Sequence, residues 1–289
     1  MHAVLASIPS PSSNAIHFGS LQLRAYGLMI AMGVVAAVWL ANRRWIAAGG
    51  DPDDMSKIAI VAVPCGVIGA RLYHVMTDWR RFTDQPLKAF AIWQGGLGIW
   101  GAIAAGALGA VWVARRRHLP LGPLADAIAP ALPLAQAFGR LGNYFNQELF
   151  GKPTTLPWGL RIDLAHRPPG YEQYATFHPT FLYEALWCLV LCVTLIAVGK
   201  RWGDKLQPGS LFWLYVAGYT FVRFFIERIR IDFASRLFGL RINEWVSAVV
   251  FLGAVTILVI MNRHDPQVTR ARSPEDEGHE EQPESASAQ

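Results

Sequence analysis

The sequence predicts an all-α polytopic membrane protein: seven transmembrane helices, with a small extracytoplasmic head between spans four and five. Three observations predict it. Hydrophobic residues make up 53% of the 289 positions and charged residues only 16%, with eleven tryptophans. Apolar stretches of the roughly 20 residues needed to cross a bilayer core recur along the chain. Basic clusters follow every second one of these stretches.

The spans fall near 24–41, 58–76, 93–114, 122–138, 180–199, 209–227 and 243–262. The first lacks the basic leader of a signal peptide and is expected to persist as a spanning helix. The third opens on Trp93-Gln94-Gly95-Gly96-Leu97-Gly98-Ile99-Trp100-Gly101 and continues through Ala102, Gly106 and Gly109. Small residues of this kind let membrane helices pack closely. Pro123, Pro130 and Pro133 interrupt the fourth, which a membrane helix tolerates when neighbours satisfy the freed backbone groups.

Spans one, three, five and seven end at Arg43-Arg44, Arg115-Arg116-Arg117, Lys200-Arg201 and Arg263. The positive-inside rule makes those exits cytoplasmic, with the N-terminus outside and the C-terminus inside. The connection at about 139–179, rich in Gly and Pro, then faces outward as the head of a membrane domain covering 1–263. Residues 264–289 carry seven acidic and two basic side chains, the composition of a disordered cytoplasmic tail. Without that tail the body carries +10, which suits an anionic membrane surface. No basic stripe lies on a soluble module, so nucleic acid is not an expected partner. Cys65, Cys188 and Cys192 lie in apolar segments without CxxC or metal-ligand spacing, so they read as small buried side chains. No metal is expected.

Charged residues at membrane depth cost roughly 2.5–3.5 kcal/mol at a helix centre on insertion scales and mark pathways or polar ligands. Two groups stand out. Gly139-Arg140-Leu141-Gly142-Asn143-Tyr144-Phe145-Asn146-Gln147-Glu148 places an arginine, two asparagines and a glutamate where an apolar segment meets water. Arg140, Asn143 and Gln147 share a face if the helix continues through Gln147. Downstream, Tyr219, Arg223, Glu227 and Arg230 lie at helical spacing on one face. Two arginines against one nearby carboxylate leave positive charge for an anion, and the planar guanidinium suits phosphate. The alternative is an ion-paired helix face. Arg71 reads equally as structural or cavity-lining. His178, just before Pro179, reads as a general base or a hydrogen-bonding cap, and Tyr26 as an aromatic-belt residue or a headgroup contact. A transporter would also place charges in the membrane, but no internal repeat is evident. No GxSxG nucleophile elbow occurs.

These motifs together resemble the prolipoprotein diacylglyceryl transferase family, through residues 24–33, 69–72, 93–101, 139–148, 178–184 and 219–232 in the family's order. The resemblance covers most of the chain outside the extreme N-terminus and the acidic tail. It implies a bacterial inner-membrane enzyme, surrounded by membrane lipids, that acts on phosphatidylglycerol. The diacylglyceryl group would pass to the lipobox cysteine thiol of a prolipoprotein signal peptide, releasing glycerol phosphate, with no metal or soluble cofactor. It implies that Arg140, Asn143, Glu148, Arg223, Glu227 and Arg230, with Tyr26 and Tyr219, surround the lipid. Arg140 and Arg223 would stabilise the leaving phosphate. One departure stands out: where much of the family carries a histidine in the glycine-rich motif, this chain has Trp100, whose indole is no base. His178 is the nearest imidazole by motif logic and the expected replacement.

Overall fold

The computed structural model describes residues 7–18, 21–91 and 95–263. Among them the chain forms α1 (Ala25–Ala47), α2 (Asp54–Thr77), α3 (Ile99–Arg116), α4 (Leu121–Ile128), α5 (Ala131–Asn146), α6 (Thr180–Trp202), α7 (Ser210–Ile229) and α8 (Ile242–Met261). Four helices are long and apolar enough to cross a membrane: α1, α2, α6 (extended to Lys205) and α8. Their outward faces carry bare apolar side chains, including Ile60, Val193, Val249 and Leu252, each more than 60% exposed. Water would not accommodate a band of this kind on a monomer, whereas lipid would.

The protein is mostly helical but not all-α. Three two-stranded antiparallel ribbons accompany the helices. β1 (Ala15–Phe18) pairs with β2 (Leu21–Arg24), β3 (Leu160–Arg161) with β4 (Thr176–Phe177), and β5 (Arg236–Leu237) with β6 (Leu240–Arg241). The first precedes α1, and the other two lie in the connections before α6 and α8.

Two spans differ from their sequence boundaries for backbone reasons. The fourth is two helices, broken at Ala129 and Pro130. Proline has no N–H and clashes with the preceding turn, so the helix restarts after Pro130. Pro123 and Pro133 fall in the first turns of α4 and α5, where N–H groups lack intrahelical partners anyway. The third span starts helically only at Ile99. Gly95 and Gly96 have φ of +87° and +72°, left-handed values that suit glycine and stop the helix from extending backwards. The Gly98 N–H then bonds Ala70 O at 2.9 Å. A Cβ on Gly69 or Gly101 would collide with the facing helix, so α2 and α3 pack backbone to backbone.

Polar contacts place the helix ends. At one end the Trp45 indole donates to Asp54 at 2.9 Å, and Arg117 pairs with Asp54 at 2.7 Å. Asp126 caps α7 by accepting the N–H groups of Gly209, Leu211 and Phe212. Asn262 accepts from Gln207 N, and Gly199 lies against Arg44 and Leu211. The starts of α2 and α7 therefore share this end with the exits of α1, α3, α6 and α8, where the four basic clusters sit. At the opposite end Tyr26 packs on Gly142, Glu184 meets Arg140 and Arg223, and Arg241 meets Glu227.

Helix α5 runs through Asn146, so residues 147–179 form the connection to α6, with one 3-10 turn at Leu164–His166. Phe150, Leu160, Ile162, Phe177 and Phe181 give it a small apolar core. Its backbone is pinned to α7 by Lys152 N to Ile229 O at 2.9 Å and closes on itself by Gly151 N to His178 O at 2.9 Å. The expected disordered tail, 264–289, lies outside the described residues.

Candidate functional site

The second end of the bundle holds a buried charge network built from four elements. Glu184, in the first turns of α6, is almost fully buried. Its carboxylate meets Arg140 of α5 at 2.8 Å and Arg223 of α7 at 2.9 Å, and accepts from the Tyr219 hydroxyl at 2.8 Å. Arg223 also pairs with Glu227, one helical turn on, at 2.7 Å. Glu227 is wholly buried and holds Arg241 at 3.0 Å and Asn243 at 3.1 Å, with Arg230 at 3.6 Å. Arg230 and Arg241 then share Asp232, at 2.7 and 3.0 Å. Arg230 has left the helix (ψ 146°), so its side chain turns back onto Glu227.

Four guanidiniums thus meet three carboxylates, leaving one positive charge in a desolvated cluster. The sequence implied two arginines against one carboxylate. That count corrects to a network nearly balanced internally, because Glu184 and Asp232 supply carboxylates that the spacing within α7 does not reveal. Burying such ions is tolerable only when each is paired and hydrogen-bonded. The pairing also fixes the guanidiniums in position.

Beside this network, Asn143 and Asn146 both donate to Glu148 Oε1 at 2.9 Å, holding the carboxylate over the end of α5. The Tyr26 ring lies against Gly142, and its hydroxyl is within electrostatic reach of Glu148 and Arg140. Gln147 does not stay on the helical face with Arg140 and Asn143. It takes a left-handed conformation (φ +50°), ending α5, and exchanges hydrogen bonds with Asp163 at 2.7 and 2.9 Å.

Of the residues singled out from sequence, Arg140, Tyr219, Arg223, Glu227 and Arg230 fall in one bonded network. Tyr26, Asn143 and Glu148 adjoin it. His178 is not bonded to it. Its Nδ1 faces the Tyr183 hydroxyl at 3.1 Å and its backbone clamps Gly151 and Lys152. Burial, and secondarily Lys152, lower its pKa. Trp100 is half exposed on the first turn of α3. Arg71 also lies apart, held by four backbone carbonyls. Sequence reasoning missed Glu184, Asp232, Arg241 and Asn243 as site members. A carboxylate five residues into an apolar span was the available signal for Glu184. Arg241 and Asn243 stand at the entry to the last span, where polar residues carry no signal of a site.

Comparison with known proteins adds an independent line. The sequence model of the prolipoprotein diacylglyceryl transferase family matches residues 13–260. The chain is 52% identical over 268 residues to phosphatidylglycerol–prolipoprotein diacylglyceryl transferase 2 of Streptomyces coelicolor, covering 91% of this chain and 84% of that protein. It is 52% identical over 261 residues to the like-named transferase of Cutibacterium acnes, covering 89% and 87%. For that of Frankia alni the identity is 52% over 271 residues, covering 92% and 71%.

Glu184→Gln removes the charge between Arg140 and Arg223, leaving Arg140 without its ion pair and Arg223 with Glu227 alone. Breaking a buried pair costs about 3–5 kcal/mol, so a marked drop in the thermal midpoint of the purified protein is expected, read by tryptophan fluorescence. An unchanged midpoint would mean that Glu184 does not hold the network.

Proposed function

The chain belongs to the prolipoprotein diacylglyceryl transferase family, and we propose that it performs that reaction: diacylglyceryl transfer from phosphatidylglycerol to the cysteine thiol of a prolipoprotein lipobox. The observation that carries this reading is the pair of guanidiniums, Arg140 and Arg223, fixed on either side of Glu184, with Tyr26 and Glu148 beside them. The thiolate attacks the glycerol carbon, a C–S bond forms, the C–O bond to phosphate breaks, and glycerol phosphate leaves with the electron pair. Arg140 and Arg223 stabilise the charge that builds on this leaving oxygen. Asn143, Glu148, Tyr219, Glu227 and Arg230 hold the lipid or the arginines in place.

The same reading has the chain cross a bacterial inner membrane seven times, with the α4–α5 pair as the fourth crossing. The basic end is cytoplasmic, the network and the 147–179 head face outward, and the N-terminus lies outside. What supports it is the gathering of four basic exits at one end and the charge network at the other. The thiol proton goes to His178, in the tautomer whose Nδ1–H donates to the Tyr183 hydroxyl and whose Nε2 is the acceptor.

Incubating purified protein with phosphatidylglycerol and a lipobox peptide, then weighing the peptide, tests the function. A diacylglyceryl mass gain that requires the peptide cysteine is expected. Arg140→Ala and Arg223→Ala should abolish most transfer, and Lys should restore only part because it loses the bidentate fork. Wild-type turnover in Arg223→Ala would refute its role.

For topology, single cysteines at Thr154 and Gln173 should react with impermeant thiol reagents in intact spheroplasts, and one at Ser287 only after lysis. Labelling at Ser287 in sealed cells would overturn the orientation.

His178→Gln should slow transfer at neutral pH by about the 10²–10⁴-fold typical of a general base. Much of the rate should return as pH rises toward the thiol pKa of about 8.5. Because the folded environment lowers the imidazole pKa, the wild-type rate should hold until pH falls below the ordinary histidine range near ~6.5. Parallel pH profiles with similar rates would eliminate His178 as the base.

A further inference from the structure

Between α7 and α8, at the charge-network end of the bundle, stands the β5–β6 hairpin, and its tip is apolar and bare. Phe238 is 87% exposed and Leu237 about half, while Phe233, in the chain leading in, is 97% exposed. Single exposed apolar side chains need no explanation. Three on one short connection do, and here the backbone is bent to present one of them.

The loop between the strands is two residues long, Phe238-Gly239, since Leu237 pairs with Leu240. Both residues take positive φ, +49° and +80°, the combination that matches the twist of a two-residue hairpin. Gly239 adopts its value freely. At the first position Asn, Asp or Gly is usual, and a bulky side chain there is strained. The chain thus holds an aromatic ring in an unfavourable backbone conformation and leaves it almost wholly uncovered.

Both strands are tied down. Ile242 N bonds Ser235 O at 3.0 Å, closing the base of the hairpin. The Arg241 guanidinium donates to the carbonyls of Arg230 and Asp232, each at 2.9 Å, which fastens β6 to the chain leaving α7. The Trp245 indole donates to Leu237 O at 2.9 Å, so β5 rests on the first turn of α8.

That last bond shows what covers the tip. Ile242, Trp245, Val249 and Leu252 fall at i, i+3, i+7 and i+10 on α8, a single helical face, and all four are exposed. Val249 and Leu252 belong to the lipid-facing band, and Trp245 stands near its end. An indole so placed marks a membrane–water interface. Leu237, bonded to that indole, and Phe238 next to it extend the same apolar stripe. Arg236, beside them, is exposed and has no ion pair among the described residues. An arginine there can lay its stem along the apolar tip and keep its charge among headgroups.

We propose that the β5–β6 hairpin is a membrane anchor, with Leu237 and Phe238 inserted among phospholipid acyl chains just beneath the headgroups at the network end of the bundle.

Photocrosslinking of the full chain in nanodiscs of phosphatidylcholine, which is not the donor lipid of the proposed reaction, tests the anchor. A benzophenone amino acid replaces Phe238, whose exposure lets it accept the larger ring without repacking. Val249, on the lipid-facing stripe, and Gln173, exposed in the 147–179 connection, take the same replacement as references. After irradiation, intact mass should show lipid adducts at Phe238 with a yield comparable with that at Val249, and little or none at Gln173. Fragmentation should place the new bond on an acyl chain. Lipid adducts at Val249 with none at Phe238 would overturn the proposal. Adducts at Phe238 that form only with added lipobox peptide and carry the peptide's mass, or that join two copies of the chain without lipid, would overturn it too, because the tip would then dock on protein.

Discussion

One carboxylate, Glu184, holds together groups from three helices. It stands between Arg140 and Arg223 and takes the Tyr219 hydroxyl as well. Without it, α5 and α7 would bring two guanidiniums into a desolvated space with nothing between them, and repulsion would oppose the packing of both helices on α6. With it, the cluster tolerates four arginines at the end of an apolar bundle. Within the bonded network the carboxylates are too few by one, with Glu148 beside it. In the reaction proposed above, Arg140 and Arg223 are the groups that would meet the phosphate.

The opposite end of the bundle solves a different problem with different groups. There Asp126 satisfies the open N–H groups of α7, Asn262 reaches the chain before it, and Asp54 ties α1 to the segment after α3. Those bonds are local, and they set the depth and rotation of α7. Since Tyr219, Arg223 and Glu227 lie along that same helix, its cap at one end positions the arginine at the other. Rigid helices supporting a charged cluster keep its geometry better than loops do.

Much of this was legible in the sequence, and what was not has a physical cause. Hydropathy located the apolar helices because burial in lipid demands long uninterrupted runs. Helical spacing put Tyr219, Arg223 and Glu227 on one face because α7 is regular through Ile229. The partners on other helices escaped, since a pairing such as Glu184 with Arg140 depends on how α5 and α6 are juxtaposed, which periodicity does not encode. The broken fourth span and the late start of α3 follow from Pro130 and from the left-handed Gly95 and Gly96, where backbone stereochemistry overrides hydropathy. Gln147 left its expected face for the same kind of reason, a left-handed turn stabilised by Asp163.

The central claim is that Glu184 acts through the arginines it holds. A double-mutant cycle on Glu184→Gln and Arg223→Ala, with transfer to a lipobox peptide as the readout, tests this most directly. Groups in one network couple by about 0.5–3 kcal/mol, whereas independent sites add. If Glu184 positions Arg223, the double variant should lose little more activity than the worse single variant. Losses that simply add would contradict the account, because they would mean that the two residues serve transfer independently.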